Sequence, residues 1–175
     1  ARKCGFDNIN TDLIAGLPTD TTESFKNSLD SIVRLNAECI TVHTLCMKRA
    51  SRLTTEGVTL DLQQARDARE MLAYTQNVLG QNEYIPYYMY RQSRMVGNLE
   101  NVGWSKRGFE SLYNVYVMDE THTILACGSG GVTKLKRNNP DYLERIFNFK
   151  YPYEYIDRFD ELIQRKSGIM QFYGQ

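Results

Sequence analysis

Ile9-Asn10-Thr11-Asp12-Leu13-Ile14-Ala15-Gly16-Leu17-Pro18 alternates polar and apolar residues and then meets a glycine and a proline. That pattern reads as a strand over residues 9–14 running into a turn. Seventeen residues after Thr22 the chain reaches a second strand-like run, Cys39-Ile40-Thr41-Val42-His43-Thr44-Leu45-Cys46. Between the two lie Phe25, Leu29, Ile32, Val33 and Asn36 at helical spacing. Asp20 and Glu23 match the N-cap and third position of a capping box, and Asn36-Ala37 closes the helix. Strand, crossover helix and strand form a βαβ unit, so the two strands are expected to be parallel.

Working outward, the hydroxyl-rich and basic run Met47 to Thr59 reads as a loop. A long helix follows over about 60–79, with Ala65, Ala68, Leu72, Thr75 and Leu79 on one face. Arg66 and Glu70 are spaced for an i,i+4 pair, and Gly80 marks a stop. Beyond it the character changes. Tyr84 to Tyr90 is aromatic and strand-like. Residues 112–118 and 122–127 alternate around Asp119-Glu120-Thr121, which reads as a hairpin. Helices are expected near 140–148 and 153–166. The division implied is 1–82 for a βα-type segment and 83–175 for a small α+β segment.

Composition narrows the function classes. The 175 residues hold 21 Lys+Arg and 21 Asp+Glu, a net charge of zero. Such a balance provides no general attraction to nucleic acid or anionic lipid. No apolar run is long enough for a membrane span, and the first residues lack the apolar core of a secretory signal. Ala1 to Asp7 reads instead like the end of a helix, as in a chain cut from something longer. Cys4, Cys39, Cys46 and Cys127 are scattered, and histidines number two, so local metal-ligand spacing is missing. Scattered thiols without a signal point to a reducing cytoplasm.

Three places carry candidate chemistry. On a strand, Asn10, Asp12 and Ile14 share one face. A carboxylate at the carboxyl end of a parallel strand suits a ligand diol, because its oxygens accept two adjacent hydroxyls. It suits backbone N–H groups of the following turn equally well. Tyr84, Tyr87, Tyr88 and Tyr90, followed by Arg91 and Arg94, combine flat faces with guanidinium forks. That set fits a tetrapyrrole bearing carboxylates, and it fits a tyrosine-rich core strand with surface arginines. Gly128-Ser129-Gly130-Gly131 allows close backbone approach, but it lacks the ending of a phosphate loop.

Two stretches carry a family resemblance. Asp12-Leu13-Ile14-Ala15-Gly16-Leu17-Pro18 resembles the fifth barrel strand of the oxygen-independent coproporphyrinogen III oxidases, which are radical S-adenosylmethionine (SAM) enzymes. The second is Met95-Val96-Gly97-Asn98-Leu99-Glu100-Asn101-Val102-Gly103-Trp104-Ser105-Lys106-Arg107-Gly108, continuing to Gly128-Ser129-Gly130-Gly131-Val132-Thr133-Lys134-Leu135. It is similar to the haem-biosynthetic branch, called coproporphyrinogen dehydrogenase, more than to the chaperone branch. Tyr113 stands where that second branch has a histidine.

The resemblance implies an α/β fold: the last βα units of a radical SAM partial TIM barrel, then a small α+β lid. It implies SAM as cofactor, with Asp12 on the ribose, Ile14 and either Leu45 or Cys46 against the adenine, and Val132 bordering the cofactor. Tyr90, Arg91 and Arg94 would meet coproporphyrinogen III. The family's [4Fe–4S] cluster is held by CxxxCxxC, which this sequence lacks, so its ligands are expected in a missing N-terminal half. The implied reaction is oxidative decarboxylation of coproporphyrinogen III to protoporphyrinogen IX in the cytoplasm. A haem chaperone, a methyltransferase and a non-catalytic tetrapyrrole-binding module are the rival readings. The chain alone is expected to do no radical chemistry and to self-associate through its exposed strand edge. His43 is read as an interior histidine.

Overall fold

A computed structural model describes residues 1–46, 62–91, 95–138 and 141–174. It divides into two compact units, Ala1–Ser111 and Leu112–Gln175. The division falls later in the chain than expected, because residues 83–111 add strands to the sheet begun by residues 10–44. The expected loop after Met47 and Arg94 lie outside the described residues.

In the first unit, β1 (Asn10–Ala15) and β2 (Cys39–Thr44) are parallel and in register from Asn10 opposite Cys39 to Ala15 opposite Thr44. Helix α1 (Thr22–Leu35) connects them. Its cap is Thr21, whose hydroxyl accepts the Ser24 N–H at 3.1 Å, not Asp20 as expected. Asp20 instead accepts the Thr21 N–H at 2.9 Å, so the two neighbours share the work of the helix start. Asn36, left-handed at φ 58°, closes the helix as expected.

Helix α2 (Leu62–Gln81) packs beside α1. Glu70, expected to pair with Arg66 within its own helix, bonds Lys26 of α1 at 2.8 Å. Tyr74 donates its hydroxyl to Asp30 of α1. After α2, β3 (Ile85–Tyr90) and β4 (Asn101–Ser105) complete a sheet of order β1-β2-β4-β3, with β4 antiparallel to both neighbours.

Alternation divides that sheet into two faces. Ala15, Ile40, Val42 and Trp104 meet Phe25 and Leu29 of α1 and Met71 and Leu79 of α2 in one buried core. Fully burying each of the larger aliphatic side chains there stabilises the fold by about 1.5–3 kcal/mol. A glycine is needed at position 16 because the turn after β1 takes φ +81°, and a Cβ there would lie 3.2 Å from that of Ala68.

Glu38 ties the amino ends of β1 and β2 together. It accepts from Arg2 at 2.6 Å and from the Ile9 N–H at 3.0 Å, and its side chain is nearly buried. Burial opposes its charged form. The Arg2 guanidinium and the Ile9 N–H outweigh that and hold the carboxyl below its ordinary value.

The second unit departs most from expectation. Residues 112–119 form helix α3 (Leu112–Asp119), not a strand. Of the expected partner strand, only Ile124 makes a single bridge, to Lys134. The hairpin is instead β5 (Val132–Asn138) with β6 (Asp141–Phe147), the latter expected as helix. Leu143 and Ile146, three apart, imitate a helical stripe, but the cross-strand ladder with β5 decides the conformation. The expected helix over 153–166 is present as α4 (Pro152–Asp157) and α5 (Phe159–Tyr173). Arg158 and Arg165 each lie 4.2 Å from the Phe149 ring centre, and Glu161 accepts from both.

Because Glu38 has a lowered carboxyl pKa in the folded state, its contribution is present above the ordinary carboxyl value. It is lost as pH falls through the folded one. Glu38→Gln should therefore flatten the acid limb of stability, seen as a smaller drop in Tm between neutral pH and about pH 3 than in the unaltered protein.

Candidate functional site

The face of the first sheet turned away from α1 and α2 carries polar side chains, and their placement follows from strand parity. Asn10, Asp12 and Ile14 project from β1, Thr41 and His43 from β2, and Tyr88 and Tyr90 from β3. The register sets Asp12 opposite Thr41, and Thr41 opposite Gly103 of β4, with Tyr88 next in the row. A bulge between Pro86 and Tyr88 corrects the alternation of β3 so that Tyr88 reaches this face.

Gly103 makes that row possible. A Cβ on it would stand 1.8 Å from the Tyr88 ring, so only glycine lets the ring cross the strand. The Tyr88 and Tyr90 rings lie nearly parallel, 6.3 Å apart.

Two hydrogen-bond relays run toward Asp12. In the first, the Thr41 hydroxyl donates to Asn10 Oδ1 at 3.1 Å, and Asn10 Nδ2 donates to Asp12 Oδ1 at 2.7 Å. Thr41 spends its one proton on Asn10, so the Tyr88 hydroxyl, 3.3 Å away, is the donor to Thr41. In the second, Asn101 accepts the Thr44 N–H through Oδ1 at 2.7 Å, and its side chain also bonds the Tyr90 hydroxyl. Tyr90 reaches His43 Nδ1 at 3.4 Å, and His43 Nε2 stands 3.8 Å from Asp12 Oδ2.

Burial pushes both phenols up, with the Asp12 charge adding to it, and at Tyr90 the hydrogen bond from Asn101 works against it. Both tyrosines are therefore neutral donors near pH 7. Asp12 remains reachable, its side chain 58% exposed, and Ile14 is exposed beside it.

The other expected site residues fall in different places. Leu45 is buried against Ala68 of α2 and Val96, which takes it out of the polar face. Cys46, the other alternative, forms a single bridge with Met95. Arg91 directly follows Tyr90, is exposed, and pairs with Glu100. Val132 opens β5 in the second unit, opposite Phe147. The glycine loop before it is held internally. Gly128 N–H bonds the Tyr155 hydroxyl, Gly130 N–H bonds Phe149 O, and Gly131 N–H bonds Gly128 O. Asn148 further clasps it through Gly128 O at 2.7 Å. Those amides are directed into the unit and not toward an anion.

Among the described residues, no three of His, Cys, Asp and Glu converge as a metal site. Sequence reasoning set His43 aside, passed over Thr41 and Asn101, and read Tyr88 only as one ring in an aromatic run. Parity within Cys39–Cys46 already puts Thr41 and His43 on one face, but the partner strand β4 was not foreseen.

No family model matches the chain. Over 171 residues, 98% of its length, the chain is 37% identical to the oxygen-independent coproporphyrinogen-III oxidase-like protein HemZ of Bacillus subtilis (strain 168). Those residues make up 34% of that protein, so the chain spans about a third of the curated relative it matches. The solved structure of the coproporphyrinogen III oxidase HemN of Escherichia coli, a radical SAM enzyme, matches 91% of this chain with 36% of its own. The TM-score is 0.59 at 18% identity, a likeness of fold. The relative that the chain resembles along its length is thus named for the same activity as the family that the two motifs resemble.

Gly103→Ala should cost about 1–3 kcal/mol, the usual range for overpacking. Denaturant unfolding would measure it. Adding Tyr88→Ala to Gly103→Ala should recover part of that loss, since the clash then has no partner.

Proposed function

We propose, from that kinship, that this chain is part of a longer radical SAM enzyme that oxidatively decarboxylates two propionates of coproporphyrinogen III, giving protoporphyrinogen IX. The observation that carries the reading is the reachable Asp12 carboxylate, held by Asn10 on a polar sheet face, within a chain 37% identical to an oxidase-like relative. In this reading β1 and β2 are the last strands of a partial barrel, and the second unit belongs to the lid.

The donor set fits the adenosyl part of SAM. Asp12 offers carboxylate oxygens for ribose hydroxyls, and Ile14 offers exposed apolar surface two residues on for the adenine. Cys46 is the candidate for the adenine's other side, and Val132 is the candidate contact from the second unit. A [4Fe–4S] cluster has no ligand set among the described residues, so its cysteines are assigned to the part of the relatives that this chain does not span. When bound, SAM and the cluster supply the hydrogen-abstracting radical.

The chain's own residues bind and orient. Asn10 holds Asp12 in place, and Thr41 holds Asn10. Arg91 would exchange Glu100 for a substrate propionate, with Tyr90 beside it offering its ring and hydroxyl, and Arg94 is the second candidate for a propionate. No helix among the described residues is long and apolar enough to cross a membrane. A cytoplasmic site of action is part of the proposal.

The test is anaerobic turnover by the longer protein with SAM and coproporphyrinogen III, followed by porphyrin analysis. Protoporphyrinogen IX formation is expected. Tight haem binding without turnover would move the assignment to a carrier role. Asp12→Asn should raise the Kd for SAM about tenfold or more, because a charged acceptor contributes about 1.5–3 kcal/mol. Unchanged SAM affinity in equilibrium dialysis would remove Asp12 from the cofactor site.

A further inference from the structure

The second relay stops short of Asp12. His43 Nε2 and Asp12 Oδ2 are 3.8 Å apart, beyond hydrogen-bond length. A single oxygen atom can nevertheless stand about 2.8 Å from each of them. The gap opens to solvent, since the Asp12 side chain is 58% exposed and that of His43 29%.

The tautomer decides what such an atom meets. Asn101 Oδ1 accepts the Thr44 N–H, and the Asn101 bond works against the upward shift of the Tyr90 phenol, as a donor to the phenol oxygen does, so its amide nitrogen is the group facing the Tyr90 hydroxyl. Tyr90 accepts there and directs its own proton to His43 Nδ1. With Nδ1 an acceptor, the imidazole carries its proton on Nε2, pointing into the gap. The group that fits must accept from Nε2–H and donate to a carboxylate. A hydroxyl does both. A phosphate or carboxylate presents only acceptors and is repelled by Asp12, and an ammonium leaves Nε2–H without an acceptor.

We propose that His43 is a second protein ligand to one hydroxyl of the bound ribose. The hydroxyl donates to Asp12 Oδ2 and accepts from His43 Nε2–H, with Tyr90 as the residue that positions the imidazole. This rests on the reading of Asp12 as the ribose ligand. It gives the face a means of selecting a ribonucleoside over its deoxy counterpart. A deoxy ligand leaves Nε2–H and Oδ2 facing each other unbridged.

The experiment uses the longer protein and S-adenosylhomocysteine, with its 2′-deoxy and 3′-deoxy analogues, in calorimetric titrations. His43→Ala should weaken the parent ligand about tenfold. His43→Gln, whose amide nitrogen can take the place of Nε2, should restore most of it. With one of the two deoxy analogues, His43→Ala and the unaltered protein should bind alike. Equal loss on all three ligands, or no loss with the parent, overturns the role of His43. If His43→Ala does not fold, His43→Gln must still bind the parent near normally and retain the preference over that same deoxy analogue, or the proposal fails. Asp12→Ala separates the two levels. If it leaves every affinity unchanged, the ribose reading itself is wrong. If it weakens binding while His43→Ala does not, only the present inference falls.

Discussion

The parallel pairing of β1 with β2 is the constraint on which the first unit depends. Its register, Asp12 opposite Thr41 and Ile14 opposite His43, puts every second side chain of both strands on one face. A slip of one residue would send Asn10 and Asp12 into the apolar core and Leu13 and Ala15 out of it. Glu38 guards that register at the amino end, where one carboxylate holds Arg2 and the Ile9 N–H together. At the other end Leu45 N–H bonds Ala15 O at 2.9 Å and Val96 N–H bonds Leu45 O at 3.0 Å.

From that register the two faces acquire separate tasks. One is closed by α1 and α2 and supplies the apolar burial. The other is polar, and its side chains satisfy one another in two chains, one ending at Asp12 and the other at His43 beside it. Buried polar groups need partners, and here the partners come from four strands: Asn10, Thr41, Asn101 and Tyr88. The arrangement fixes donor directions as well as positions, because each amide and hydroxyl has a limited set of protons to give. Asp12 is thus held in place through Oδ1 while Oδ2 stays available, which is the property a ligand-binding carboxylate requires.

Much of this was legible in residue order. The βα unit, its parallel strands, the helix over 62–81 and the strand of Ile85–Tyr90 all follow from local periodicity. So does the grouping of Asn10, Asp12 and Ile14. The family resemblance rested on short motifs and agrees with the relationship found along the chain. What periodicity misread was the second unit. Leu112–Asp119 has the aromatic and β-branched content of a strand, yet is helical, because strand formation needs a partner and β5 pairs with β6. The helix cap moved by one residue for a similarly local reason, since the Thr21 hydroxyl takes the Ser24 N–H while Asp20 takes that of Thr21.

Residue order by itself determined which elements of the first unit form and which of their side chains share a side, because both depend on periods of 2 and 3.6 along one strand or helix. It also carried the likeness to the oxidase-like relative. Only the tertiary structure decided which of those sides meet. β4 enters between β2 and β3, Gly103 leaves room for Tyr88, and Asn101 turns Tyr90 toward His43. These contacts join residues on different strands, from 11 to 66 positions apart, and no local period encodes them. His43 shows the difference most plainly: parity places it on the face of Thr41, but only the approach of β1 and β3 sets it between a carboxylate and a phenol.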